Sequence, residues 1–356
     1  MKKGKVIVGL SGGVDSTVAA YLLQQQGYEV IGVTMEMWQG EQSQAAIQDA
    51  ERVAKTLGIP FHVLDFKAEF RELVVADFIR QYQQGLTPNP CIVCNRWVKG
   101  QALLEQARNL GAEHIATGHY ARIERHPETG RYTICNSVTA KKDQTYALYR
   151  LTQEQLAAML LPIGEYEKEE VRAIAEKIDG FVAKKGDSQD ICFIPDGDYA
   201  AFIRREGGDC GKAGDFVDMT GKVLGQHQGL IHYTVGQRKG LGIAFGKPMY
   251  VYGVDAEKNQ VRLCENEALF RRRLYVSDLS YMAYPSFSDG MRLKGKIRYA
   301  HRAAWCTVRM VGKDLLECTF DEPQRAITPG QSLVLYDGEY VAGGGFILPE
   351  GAEEKR

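Results

Sequence analysis

Lys5-Val6-Ile7-Val8-Gly9-Leu10-Ser11-Gly12-Gly13-Val14-Asp15-Ser16 is the stretch whose reading decides the fold. Val6 to Val8 is a short apolar, β-branched run of the kind expected in a buried parallel strand. Ser11, Gly12 and Gly13 break it, and residues 17–26 have helical periodicity with Val18, Ala19, Leu22 and Leu23 inward. Strand, small-residue loop and helix N-terminus together predict an anion site. Glycines let backbone N–H groups close around a phosphate, the helix end adds partial positive charge, and the serines donate further bonds. Asp15 would repel a phosphate unless a bound Mg²⁺ lies between them.

No Gly-Lys-[Ser/Thr] follows, so this is not a Walker A loop, and without Gly-x-Gly-x-x-Gly a dinucleotide site is unsupported. Ser11-Gly12-Gly13-Val14-Asp15-Ser16 resembles the PP-loop of ATP pyrophosphatases, enzymes that adenylate a substrate and release pyrophosphate. The alternative is an ordinary Gly-rich turn; agreement of strand, loop and helix favours the anion site.

Outward from the loop, strand and helix alternate. Residues 30–35, 61–65 and 114–118 read as strands, and 45–57, 70–82 and 98–110 as helices. Such repetition predicts an α/β fold with a doubly wound parallel sheet of PP-loop (HUP-like) type, its ligands at the carboxyl ends of the strands. ATP is expected there, contacting Gly9, Leu10, Ser11, Gly12, Gly13, Val14, Asp15 and Ser16, with Met35 and Gly118 near the adenosine. From about residue 207 glycines recur and short alternating segments, 249–254 and 260–263, predict hairpins. Strands predicted over 292–299, 304–310, 315–320 and 332–336 suggest a small barrel or sandwich. The expected domains are therefore residues 1–206, a small β-rich unit over 207–273 and a β-barrel over 274–356.

A chain of 356 residues accommodates two or three such domains. Its net charge of −1 means that any nucleic-acid partner is held by a local patch. No apolar run reaches the roughly 18 residues of a membrane span. The first strand starts too early to leave room for a signal peptide. Eight scattered cysteines do not make a disulfide scaffold; they fit a reducing, cytoplasmic setting and turn attention to thiol chemistry.

Two cysteine segments stand out. In Asn89-Pro90-Cys91-Ile92-Val93-Cys94-Asn95-Arg96, Lys99 and Arg96 follow Cys94 as a helix begins, which predicts a stabilised, nucleophilic thiolate. A structural zinc site lacks its further ligands, and a thioredoxin-like pair lacks its flanking sequence. In Gly186-Asp187-Ser188-Gln189-Asp190-Ile191-Cys192-Phe193, carboxylates precede Cys192 and should raise its pKa. A persulfide, the stronger acid, tolerates that setting better.

These segments, with the PP-loop, Thr117-Gly118-His119-Tyr120, Lys142-Asp143-Gln144, Gly236-Gln237-Arg238-Lys239-Gly240 and Pro329-Gly330-Gln331, resemble the tRNA-specific 2-thiouridylase family over nearly the whole chain. The resemblance implies sulfur insertion at the 2-position of the wobble uridine, position 34, of lysine, glutamate and glutamine tRNAs. It implies that ATP with Mg activates the carbonyl oxygen, that Cys192 carries a persulfide, and that Cys94 is the nucleophile that closes a disulfide with it. Asn89, Pro90 and Cys91 match the segment meeting the target base. His119, Lys142, Asp143, Gln144, Arg298, Tyr299 and Gln331 match tRNA contacts. A cysteine desulfurase or a sulfur-relay protein is the implied donor. Many family members have Asp at the position of Cys91, which leaves open a 4Fe–4S cluster on Cys91, Cys94 and Cys192.

The residues themselves also suggest an RNA surface. Arg292, Lys294, Lys296 and Arg298 fall at every second position, so a strand would align them opposite Leu293, Ile297 and Tyr299. The row can follow a phosphate backbone; a solvated barrel face is the alternative. Arg271-Arg272-Arg273 reads as a surface charge run, whereas Tyr233 and Arg238 are candidates to orient the tRNA or the catalytic segment. A stacked target base must be flipped out to reach the ATP site, and residues 180–192 are expected to move Cys192 towards Cys94. The competing classes are a PP-loop ligase of small metabolites and a non-enzymatic ATP-binding sensor of tRNA.

Overall fold

A computed structural model describes residues 3–186, 191–207, 210–244 and 246–355. The Asp187-Ser188-Gln189-Asp190 part of the second cysteine segment lies outside these residues. The first seven strands are β1 (Lys5–Gly9), β2 (Glu29–Glu36), β3 (Phe61–Asp65), β4 (His114–Ala116), β5 (Arg122–Arg125), β6 (Tyr132–Cys135) and β7 (Met159–Leu160). Five of them form one sheet in the order β3-β2-β1-β4-β7, every pairing parallel. Side-chain alternation in β1 explains its central place. Ile7 enters one buried cluster with Ile31, Val33 and Ile115, while Val6 and Val8 enter the other with Val18, Leu23 and Val53. The strand order reverses between β1 and β4, and that switch point opens a crevice at their carboxyl ends.

Helix α1 (Val14–Gln25) follows β1 directly, and α2 (Glu41–Leu57) ends at Gly58 in the left-handed conformation. The helix expected over 98–110 is the far end of a longer run, Pro90–Arg96, Trp97–Ala102 and Leu103–Asn109, with π geometry in its middle piece. Cys94 therefore lies one turn inside a helix and not ahead of one. Among the described residues no helix is long and apolar enough to cross a membrane.

The central β-rich part holds β8 (Gly214–Val217), β9 (Val223–His227), β10 (Tyr250–Asp255) and β11 (Gln260–Cys264), in the order β10-β11-β8-β9. Beyond it come β12 (Phe270–Tyr281), β13 (Arg292–Lys296), β14 (Ala304–Gly312), β15 (Leu315–Arg325), β16 (Ser332–Asp337) and β17 (Tyr340–Ile347). They pair antiparallel and close into a six-stranded barrel through β12 and β17. Strand β17 carries Gly343, Gly344 and Gly345 because a Cβ on any of them would meet the backbone of a neighbouring strand, for Gly345 the Ser277 carbonyl at 2.8 Å.

Two features depart from expectation. The β5–β6 hairpin, not assigned to the barrel from the sequence, joins its sheet through Tyr340 opposite Cys135. The strand expected over 292–299 stops at Lys296, so Arg298 and Tyr299 leave the alternation.

Candidate active site

At the end of β1 the chain is fastened before it turns. The Leu10 N–H donates to Val33 O at 2.7 Å, and Thr34 Oγ1 donates to Leu10 O at 2.8 Å. Gly12 has φ +68°, and a Cβ there would lie 2.6 Å from Asp49 Cβ, so only glycine fits. Ser16 Oγ accepts from the Ser11 N–H at 3.2 Å, and Thr17 Oγ1 donates to Gly13 O at 2.8 Å. Gly118 backs onto this turn, since a Cβ would stand 2.6 Å from the carbonyl carbon of Asp15. Met35 Cε comes within 3.3 Å of where a Gly9 Cβ would be. Residues 9–16, Met35 and Gly118 thus meet at the switch point, at the N-terminus of α1.

Asp15 departs from expectation. Its Oδ1 accepts from Lys168 Nζ at 2.7 Å and from Tyr120 OH at 2.7 Å, and Oδ2 stands 3.0 Å from the same ammonium. A buried lysine, and not Mg²⁺ alone, offsets the carboxylate that would repel a phosphate. Lys168 was missed in the sequence, although it carried a signal: a cation at the first position of helix Lys168–Ile178, where the dipole disfavours it. Lys185 Nζ adds a second cation, donating to Gly12 O at 2.7 Å and to Asp49 Oδ2.

The thiols gather along the same edge. Asn89 caps the cysteine helix by accepting the Cys91 N–H at 3.2 Å, with Pro90 at the first helical position. Cys91 is exposed; Cys94 is buried against Met37 Sδ at 3.9 Å, two residues beyond Met35. Burial pushes the Cys94 thiol up to about 12, against the opposing pull of Lys99, and the neighbouring Cys192 and Cys91 push the same way. The expected low-pKa thiolate is therefore corrected: desolvation outweighs the helix end and the cations.

Cys192 reaches the surface, yet its thiol is also raised, by burial first, with Lys99 opposing and Cys91 adding. Cys192 thus lies within electrostatic reach of Cys91 and Cys94, about a hundred residues earlier in the chain, with Lys99 acting on both Cys94 and Cys192. What holds Cys192 there is Phe193, buried with ring contacts to Phe70, Phe78 and Phe202 at 5.5, 5.5 and 5.1 Å. The segment expected to swing is pinned on this side. His119 belongs to the same neighbourhood: Nδ1 stands 2.7 Å from Thr117 Oγ1, and burial with Lys99 lowers its pKa to about 3.

Every cysteine is free, and among the described residues no three His, Cys, Asp or Glu side chains are placed to hold a metal ion. Cys91, Cys94 and Cys192 are thus not drawn together as a ligand set, and the arrangement does not fit a 4Fe–4S cluster.

Models of three domains match in chain order: a tRNA methyl transferase HUP domain over residues 4–196, a tRNA methyl transferase PRC-barrel domain over 201–265, and an aminomethyltransferase β-barrel domain over 271–347. The tRNA-specific 2-thiouridylase MnmA of Lachnoclostridium phytofermentans is 53% identical over 355 residues, 97% of this chain and 99% of the relative. The chain belongs to the tRNA-specific 2-thiouridylase family. The MnmA of Clostridioides difficile is 50% identical over 352 residues, 96% of this chain and 98% of that one. A U34-tRNA thiolase, NcsA, of Methanococcus maripaludis, solved with its [4Fe-4S] cluster, overlaps 57% of this chain and 66% of its own at a TM-score of 0.36 and 17% identity. That likeness is too slight to carry the cluster over.

In this member of the thiouridylase family the residues expected to touch RNA are mostly engaged inside the protein. Asp143 Oδ1 accepts from Thr145 Oγ1 at 2.5 Å, and Gln144 Oε1 accepts from the Tyr120 N–H at 2.8 Å. Arg298 NH2 donates to Val235 O at 2.9 Å, Ala326 O at 3.1 Å and Thr328 Oγ1. Gln331 Nε2 donates to Thr87 O at 2.8 Å. Tyr299 is 45% exposed, with Lys296 Nζ 5.5 Å from its ring, on the cationic side and not opposite it. Trp305, 49% exposed beside Lys294 and Arg292, went unread in the sequence. Arg271 and Arg273 pair with Glu350 and Glu317, as a surface run would. Tyr233 is buried against Phe216 and His227, which removes it from direct RNA contact; Arg238 is exposed.

Proposed function

We propose that this chain inserts sulfur at the 2-position of uridine 34 in tRNA, using ATP. The observation that carries the reading is that Cys192 and Lys99 act electrostatically on Cys94, which packs on Met37, two residues beyond the Met35 that faces Gly9 of the phosphate loop. A metabolite ligase would leave those thiols without a task.

In this reading ATP, with Mg on its phosphates, lies over residues 9–16, Met35 and Gly118. The uridine, flipped from the anticodon loop, meets Asn89, Pro90 and Cys91. Its C2 oxygen attacks the α-phosphorus and pyrophosphate leaves, so that AMP becomes the leaving group at C2. The outer sulfur of a Cys192 persulfide bonds to C2, and AMP departs with the oxygen. The Cys94 thiolate then attacks the inner sulfur, the S–S bond to the base breaks, and its electron pair stays on the base as C=S. A Cys94–Cys192 disulfide remains for an external thiol to reduce. Lys99 is the nearby group that stabilises the Cys94 thiolate, and the His119 imidazole, held neutral by burial, is a poor acceptor for its proton.

The domains are read as catalytic over 1–206, connecting over 207–273 and tRNA-contacting over 274–356. Tyr299, with Lys142, Asp143, Gln144 and Arg298 behind it, and Trp305 with Lys294 form the RNA face. The substrates are the lysine, glutamate and glutamine tRNAs, a cysteine desulfurase or relay protein supplies sulfur, and the setting is the cytoplasm. The test is mass spectrometry of tRNA nucleosides after incubation with ATP, Mg²⁺, cysteine and a cysteine desulfurase. 2-Thiouridine at position 34, formed only with ATP, is expected; pyrophosphate release without tRNA and without thiolated product would contradict it.

A further inference from the structure

Thr87 lies where three parts of the molecule meet, two residues before the cap of the cysteine helix. Its N–H donates to Pro329 O at 2.9 Å, its carbonyl accepts from Gln331 Nε2 at 2.8 Å, and its hydroxyl donates to Thr234 Oγ1 at 3.3 Å. The first two partners belong to the barrel and the third to the central part. Gly330 between them has φ +87°, and a Cβ there would lie 2.8 Å from Thr87 N and 2.9 Å from Leu86 Cβ. Gly85 is held equally closely, a Cβ meeting Val254 Cγ1 at 2.6 Å. The approach to Asn89, and through its cap to Cys91 and Cys94, is thus clamped by the Thr328–Gln331 turn. Arg298 ties that turn to the central part through Thr328 and Val235.

We infer that Gln331 is a positioning residue for Cys94: its amide holds the Thr87 carbonyl and so fixes the start of the cysteine helix, a role separate from any contact it makes with tRNA. The inference deepens the proposed function and rests on it for the meaning of Cys94. Its central readout is independent of activity. A side-chain amide engaged with a backbone carbonyl at 2.8 Å has one donor hydrogen committed before any RNA arrives. Loss of such a bond typically costs about 0.5–1.5 kcal/mol, which raises the population of a local opening by roughly twofold to tenfold.

Gln331→Met keeps the length of the side chain and removes the donor; Gln331→Lys restores a donor. Gly330→Ala wedges the same contact without touching any RNA-facing group. Alkylation of Cys94 by iodoacetamide is followed by peptide mass spectrometry in the tRNA-free protein, with tRNA Kd and single-turnover thiolation measured in parallel. For Gln331→Met and Gly330→Ala the expected result is faster Cys94 alkylation by roughly twofold to tenfold and slower thiolation, with a tRNA Kd within about twofold of wild type for Gly330→Ala. Gln331→Lys should return alkylation towards wild type. Unchanged Cys94 alkylation in Gln331→Met and Gly330→Ala would overturn the inference, whatever the tRNA Kd. If the wild-type chain made no 2-thiouridine, the proposed function would fail while the alkylation rates still decided the clamp.

Discussion

Lys168 and Asp15 form a closed pair at the mouth of the phosphate loop, the ammonium standing 2.7 and 3.0 Å from the two carboxylate oxygens. The carboxylate is partly open to solvent and the lysine is buried, so removal of the lysine leaves an uncompensated charge where phosphate must sit. Lys168→Met should cost about 1–3 kcal/mol of ATP binding, roughly fivefold to a hundredfold in Kd. The charge-balanced Asp15→Asn, Lys168→Met protein should recover part of that loss. Calorimetric ATP titration of the three proteins checks both.

Gly118 meets the backbone of Asp15, which cannot rotate away as a side chain could. Gly118→Ala should therefore weaken ATP binding by about 1–3 kcal/mol, the usual cost of overpacking, with little change in tRNA affinity. Equilibrium binding of each ligand separates the two effects.

Cys94 is a thiol over the whole physiological range because burial lifts it to about 12. Its thiolate fraction then rises tenfold for each pH unit below that value. Consumption of a preformed Cys192 persulfide in a single turnover should climb steadily between about pH 7 and 9 without a plateau. Lys99 favours the thiolate, so Lys99→Met should lower the rate at every pH in that window. A plateau near neutrality would contradict the burial argument.

His119 has a folded pKa of about 3, below its unfolded value near 6.5. The stability this represents is present above pH 6.5 and is lost as pH falls towards 3. Thermal melts of wild type and His119→Asn should converge as the buffer is taken from pH 7 to 4, the wild type losing more.

Phe193 anchors Cys192 by burying its ring in the Phe70, Phe78 and Phe202 cluster. Phe193→Ala should destabilise the fold by about 3–5 kcal/mol, and Phe193→Leu by far less. In the leucine protein, thiolation should fall further than stability does, since its smaller side chain lets Cys192 drift. Chemical denaturation and turnover per folded molecule provide the comparison.

The parallel sheet and its loop were legible because each strand, break and helix there carries its own local pattern. Residues 5–16 contain the buried strand, the left-handed glycine and the helix start together. The barrel was legible in part. β13 to β16 alternate, whereas β17 went unassigned because Gly343 to Gly345 serve close approach between strands and not strand propensity. The β5–β6 hairpin was missed because its partner, β17, lies some two hundred residues away and no local signal announces the pairing. Cys94 shows the same limit in its chemistry. Its sequence neighbours are cationic, but its spatial neighbours include Met37, Phe193 and two other thiols, and those decide the pKa.

Two thiols are asked here to act on one sulfur atom. The most direct test is a single turnover of persulfide-loaded protein with ATP and tRNA, followed by peptide mapping without reductant and nucleoside mass spectrometry. Wild type and Cys91→Ser should yield 2-thiouridine together with a Cys94–Cys192 disulfide, and Cys94→Ser and Cys192→Ser should yield neither. 2-Thiouridine formed by the Cys94→Ser or Cys192→Ser protein would contradict the account.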